Sequence, residues 1–179
     1  MTPRPRLVAD AAVTVLARDG LRGLTHRAVD AEAGLPAGST SNCFRSRAAL
    51  LEAIVGRLEE LDLAVLAEEP PTDDVSVPEL VDHAARYVAR MTSAGHVRAT
   101  RARLALLLDE TAAPALEAGH RRFLALIEEQ LAAAGHPDPA PASRAVVDLL
   151  EGALVHAVTV PSRRVDVAEL ARALERLLR

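Results

Sequence analysis

The chain has no lysine and no tryptophan, and among its 179 residues only one cysteine, one tyrosine and two phenylalanines. A single cysteine, Cys43, excludes an intrachain disulfide framework and suits a reducing compartment. No apolar run approaches the ~18 residues that span a bilayer, and no basic-then-apolar leader opens the chain. The expected location is therefore the cytoplasm, with no membrane partner. The six histidines, at positions 26, 83, 96, 120, 136 and 156, form no H-x-x-x-H pair and no Cys/His cluster at ligand spacing. No metal or other cofactor is expected. A glycine-rich phosphate loop after a strand is missing, as is G-x-S-x-G, and no convergent acid, base or nucleophile marks an enzyme. All 21 basic side chains are arginine, a bias that GC-rich coding explains more simply than guanidinium chemistry does.

What is present is the material of helices. Half the residues are apolar, Ala, Leu, Glu and Arg are plentiful, and β-branched runs are few, which predicts an all-α fold. The net charge of −4 hides an asymmetry. Residues 1–58 carry eight arginines against five acids, or +3, and residues 59–179 carry thirteen against twenty, or −7. A basic first third on an acidic body fits phosphate attraction confined to one end.

The segment from Thr25 to Arg47, THRAVDAEAGLPAGSTSNCFRSR, organises the rest. Thr25 is a good N-cap, and the short helix after it has Ala28, Val29 and Ala33 on its inner face. Gly34 supplies a left-handed step, Leu35 an apolar plug, and Pro36 suits the first turn of a new helix. That second helix is small and polar, running through Gly38, Ser39, Thr40, Ser41 and Asn42 to an anchoring Phe44. Ser46 then caps a long third helix with Arg47 in its first turn. Helix, glycine turn and a second helix of hydroxyl and amide residues describe a helix-turn-helix, whose second helix enters the DNA major groove.

Around this segment, Met1 to Pro5 read as a loose arm kept non-helical by Pro3 and Pro5, with Arg4 and Arg6 free to approach phosphates. A supporting helix follows from Arg6 to Asp19, ended by Gly20. After the motif, a helix from Ser46 to about Glu69 carries an apolar stripe through Leu50, Leu51, Ile54, Leu58, Leu61, Val65 and Leu66. Its length of about 30 Å makes it a mechanical link between a head and a body. Pro70, Pro71, Thr72, Asp73 and Asp74 mark an exposed connection. Helices are then expected over about 78–94, 97–109, 114–134, 142–160 and 167–178, with Pro161 ending the fourth of these. The last two have more apolar surface than one side of a body needs. Val146, Leu150, Ala153, Leu154, Ala157, Leu170, Leu174 and Leu177 could make a four-helix homodimer interface or simply complete the monomer core.

The order of these features resembles the N-terminal domain of TetR-family transcriptional regulators. Ala11-Ala12, Gly20, Thr25, Ala33-Gly34, Gly38-Ser39, Phe44, Ser46-Arg47 and Leu50-Leu51 stand at matching spacing over about Arg6 to Leu51. The chain departs from the family pattern at Ser41, where a tyrosine is usual, at Asn42, often aromatic or His, and at Asp30, usually a small residue. The resemblance implies about nine helices: a helix-turn-helix DNA-binding domain over 1–50 and a helical effector-binding and dimerisation domain over 51–179. It also implies a homodimeric repressor on a palindromic double-stranded DNA operator, released by a small-molecule effector. A helical binding module without operator control is the rival reading.

Candidate DNA-binding residues are Thr25, Arg27, Gly38, Ser39, Thr40, Ser41, Asn42 and Arg47. Short donors and acceptors can reach base edges, and residues at helix N-termini can hold phosphates. Asn42 suits bidentate bonding to adenine and equally suits a helix C-cap. Cys43, near Arg45 and Arg47, reads as a redox-sensitive thiol or as a small buried side chain. His83 and Tyr87 stand i, i+4 on one helix face. With Met91, Arg103, His120 and Phe123 they form a candidate effector lining, a grouping that the resemblance implies.

Overall fold

A computed structural model of the chain describes residues 3–68, 76–107, 109–160 and 162–179. Among them are nine helices and no strand, as the composition led one to expect. The helices are α1 (Pro3–Gly23), α2 (His26–Glu32), α3 (Ser39–Cys43), α4 (Arg47–Ala67), α5 (Val77–Met91), α6 (Val97–Leu106), α7 (Ala113–Ala133), α8 (Pro139–Thr159) and α9 (Val167–Leu177). The connection expected at Pro70 to Asp74 and the stop at Pro161 lie outside the described residues. The chain divides into two compact units, residues 1–63 with 98–119 and residues 64–97 with 120–179.

In the first unit, α1 presents Val8, Ala11, Ala12, Val15 and Leu16 to the core, a helical stripe with almost no exposed surface. The prolines do not hold a loose arm, because helix begins at Pro3. The first turn of a helix has no intrahelical use for its N–H groups, so proline costs nothing there. Gly20, at φ 65°, breaks the regular helix, and the Leu24 N–H returns to its carbonyl at 3.2 Å. Thr25 caps α2 by accepting the Ala28 N–H at 3.1 Å. Gly34 (φ 63°) then turns the chain. Residues 36–38 form a turn, so α3 starts at Ser39, three residues later than Pro36 suggested. Ser46 accepts the Ala49 N–H at 3.1 Å and starts α4. Leu50, Leu51, Ile54, Val55 and Leu58 of α4 join the α1 stripe, and Ala99, Ala102, Leu106 and Ala112 close the same core. Within it Arg57 is buried, its Nε donating to Asp10 of α1 at 2.6 Å and its Nη1 to Glu60 at 2.9 Å.

The second unit is built from amphipathic helices of 11 to 21 residues. Ser76 donates its backbone N–H and hydroxyl to the Glu79 carboxylate at the start of α5, and Asp166 accepts the Glu169 N–H to open α9. The left-handed Gly135 lets the His136 N–H return to the Leu131 carbonyl and end α7. Helices α5, α8 and α9 pack on one another. Their meeting faces hold Val81, Ala85, Val88, Met91, Val146, Leu150, Leu154, Leu170 and Leu174. These faces bear on the expected dimer surface. Val146, Leu150, Leu154, Leu170 and Leu174 are buried inside one chain because α9 lays its leucine stripe against α5 and α8, and Leu174 is only 1% exposed. Ala153 and Ala157 are half-buried, and Leu177 is 43% exposed.

Candidate functional site

The expected DNA-reading residues separate into an inner and an outer set. On the five-residue α3, Ser39 and Thr40 face inward and are buried, whereas Ser41 and Asn42 face outward and are exposed. Ser39 donates its hydroxyl to the Pro36 carbonyl at 2.6 Å and accepts from Arg4 Nη2 at 3.1 Å. Arg4 is thus tied to α3 rather than free. The Thr40 hydroxyl donates to Asp30 Oδ1 at 2.6 Å. Both hydroxyls are thus engaged within the protein, at Pro36 and Asp30. Asn42 is not the helix C-cap: that place belongs to Phe44, whose N–H reaches the Thr40 carbonyl.

Asp30 is the residue that sequence reasoning passed over as a departure from pattern. Its carboxylate is 4% exposed and receives three donors: the Thr40 hydroxyl and N–H (2.7 Å) on Oδ1, and the Gly38 N–H (2.8 Å) on Oδ2. Burial pushes its pKa up, but hydrogen bonds from Thr40 and Gly38, helped by the nearby His26, outweigh burial and hold it below the usual carboxylate range. The available signal was an acid inside a short helix with an otherwise apolar inner face, followed by a glycine turn rich in backbone donors.

Thr25 and Arg27 are exposed at the start of α2, and Gly38, at φ 87°, precedes α3 with open space around it. Arg47 reaches back from α4, with Nη1 3.2 Å from the Leu24 carbonyl and Nη2 3.2 Å from that of Leu21. It also stands 3.9 Å from Asp109, with half its side chain exposed. Hydrogen bonds from Thr111, against the opposing effect of burial, hold the Asp109 carboxyl low. Arg47 therefore fastens the corner before α2 to the first turn of α4 and keeps a free edge. Cys43 is half-buried and Phe44 packs on the first-unit core.

The candidate effector residues come together only in part. Tyr87 and Phe123 stack at a tilt of 34° with ring centroids 6.2 Å apart. His83 and Tyr87 border a surface crease with Val65, Arg86 and Arg90, three residues the sequence did not suggest, and the crease encloses no room even for a water. A second cleft, among Leu80, Ile127, Leu131, Val146 and Leu174, encloses about 20 Å³, room for on the order of one water. Met91 is fully buried in the second-unit core. His120 is exposed, its Nδ1 3.5 Å from Glu151. Arg103 belongs to the first unit and pairs with Asp62, whose other carboxylate oxygen is buried with no hydrogen-bond partner. Burial pushes the Asp62 carboxyl up in spite of Arg103. Among the described residues no helix is long and apolar enough to cross a membrane, and no group of three or more potential metal ligands converges.

None of the curated proteins of assigned function is similar enough to this chain to match it. Residues 75–179 match the family described as tetracyclin repressor-like, C-terminal domain. Among solved structures, a TetR-family member from Streptomyces coelicolor A3 is 27% identical and superposes with a TM-score of 0.81 over 99% of both chains. The multidrug binding protein EbrR, crystallised with malachite green, is 26% identical with a TM-score of 0.78 over 99% of each chain. Other EbrR crystals hold ethidium and proflavin. A transcriptional regulator from Rhodococcus sp. Rha1, at 19% identity and a TM-score of 0.79, covers 97% of this chain and 93% of its own, and shares the fold. The family match takes in well over half the chain, and with the helix-turn-helix at its other end it makes this protein a member of the TetR family of transcriptional regulators.

Proposed function

We propose that the protein is a ligand-responsive repressor that works in the cytoplasm, binding a near-palindromic operator as a homodimer and leaving it when a small molecule binds. Residues 1–50 would form the DNA-binding domain and 51–179 the effector-binding and dimerisation domain. The observation that carries this reading is α3, which buries Ser39 and Thr40 and leaves Ser41 and Asn42 outward. Asn42 carries the carboxamide that can bond adenine N6 and N7 together. Thr25, Arg27 and the open edge of Arg47 supply phosphate contacts, and Gly38 lets the backbone come close to the sugar-phosphate chain.

The homodimer surface consistent with burial is the outer face of α8. Ala145 and Gly152 stand i, i+7 on the flank away from the buried Val146, Val147, Leu150 and Leu154 and are half-buried, while Leu149 between them packs on the second-unit core. A Cβ at Gly152 would meet nothing within 4 Å, so a helix could approach closely there. For the effector, the dyes bound by EbrR suggest a planar aromatic cation, which would have to part the buried Tyr87–Phe123 pair beside His83 to stack there.

A gel-shift titration against the gene's upstream region tests the reading. Salt-sensitive, sequence-selective binding is expected, with release on adding malachite green or ethidium. Binding that is equal on all DNA, or none at all, would leave only a helical binding module. Asn42→Ala is expected to relax base preference more than it lowers affinity. Light scattering at micromolar concentration should report a dimer, and Gly152→Arg should return it to monomer.

A further inference from the structure

We infer that Asp30 is the positioning residue of the recognition helix: its buried carboxylate sets the pose in which Ser41 and Asn42 meet DNA, and so helps set which sequence is read. The inference rests on the DNA-binding reading of α3. A helix of five residues cannot hold its own shape, because nucleation takes three ordered residues for the first hydrogen bond. Its orientation has to be imposed from outside.

Apolar packing does only part of this: Cys43 at the end of α3 and Phe44 just past it pack on the core, but Ser39 and Thr40, the buried residues at its start, have little hydrocarbon to interlock. What faces them is Asp30 of α2, one of whose oxygens takes both donors of Thr40 while the other takes the Gly38 N–H. Three donors on two oxygens fix the plane of the carboxylate and the rotation of α3 about its own axis. They also hold Gly38 at φ 87°, which aims the chain into the helix. The Asn42 N–H then closes onto the Gly38 carbonyl at 3.0 Å, so the backbone of the reading residue hangs directly from the residue that Asp30 grips. A second tie, from Arg4 of α1 to Ser39, bears on the same inner face. Hydrogen bonds are directional where apolar contact is not, so this arrangement specifies a rotation as well as a distance.

Two variants and one pool of DNA test the inference. The full-length wild-type chain selects a consensus from a random-sequence duplex pool, and that duplex is then titrated by fluorescence anisotropy beside a scrambled one, with thermal melting recorded for every protein. Asp30→Asn keeps the shape but turns an N–H₂ toward the Gly38 N–H. Its affinity for the selected duplex should fall about tenfold while scrambled-duplex affinity holds, the size of loss that a misplaced base contact brings. The double variant Asp30→Ala with Thr40→Leu replaces the polar tie with an apolar pair and keeps the fold. It should melt near the wild-type temperature, bind scrambled DNA as before and select a different or weaker consensus. A folded double variant that selects the wild-type consensus at wild-type affinity would overturn the inference while the DNA-binding reading stands. A wild-type chain that selects no sequence at all would overturn both.

Discussion

In the first unit, the short helices α2 and α3, of 7 and 5 residues, are held by hydrogen bonds aimed at particular atoms; in the second, helices of 15, 21 and 11 residues meet along continuous apolar stripes. The Asp30 carboxylate, the Arg57–Asp10 pair and the reach of Arg47 to two carbonyls each fasten one element of the first unit to another. Val81, Val88, Leu150, Leu170 and Leu174 do the corresponding work in the second by area alone. The difference follows from length. A long helix that rotates or slides against its neighbour loses packing along several turns, whereas a helix of one or two turns has too little buried area for that penalty to hold it. Small elements that must present side chains at a fixed angle therefore rely on directional bonds.

The comparison can be broken at either end. The largest effect is expected from Leu174→Ala in the second unit, which removes a fully packed side chain where α9 meets α5 and α8 and should cost about 3 kcal/mol. Calorimetric melting measures it, and a loss below about 1 kcal/mol would mean that α9 is not docked on its own chain. In the first unit, Arg57→Met should cost only about 1 kcal/mol, because Asp10 and Glu60 are 45% and 40% exposed and can return to water. A loss as large as that of Leu174→Ala in chemical denaturation would show the buried pair to be the stronger tie.

Two glycines with equally open surroundings should respond with opposite signs. Gly38→Ala forces an alanine to φ 87° and should destabilise by about 1 kcal/mol. Gly152→Ala, inside α8 at no positive φ, should stabilise the chain by up to about 1 kcal/mol as followed by circular dichroism. The smallest effect at neutral pH is that of Asp30 ionisation. Its folded pKa lies below the unfolded value, so its contribution is fully present above about pH 4 and is lost as pH falls through the folded pKa. Melts between pH 3 and pH 7 should show an acid-side loss of stability in the wild-type chain that is shallower in Asp30→Asn.

Much of this architecture was legible in the residues. Thr25 and Ser46 cap the helices they were expected to cap, and Gly20, Gly34 and Gly135 stand at turns with positive φ. The candidate site was legible in outline only. Ser39, Thr40, Ser41 and Asn42 form one polar run, and in fewer than two turns no periodicity says which two face inward. That choice was made by Asp30, eight to ten residues earlier, through bonds that no local pattern encodes. The candidate effector set shows the same gap, since spacing put His83 beside Tyr87 while only packing brought Phe123 to Tyr87 and left Arg103 with Asp62.

The sequence by itself determined where helices run, because caps, glycines and apolar periodicity act within a few residues and need no partner. It determined the helix-turn-helix for the same reason. Only the tertiary structure decided what each stripe is buried against. The leucines of α9 have the periodicity of a buried face whether the cover is a second copy of the chain or α5, and it is α5 and α8 that cover them here. Likewise an aspartate in a short helix reads as a surface acid until its neighbours arrive. Surrounded by three donors, Asp30 becomes the charge about which the reading helix is set.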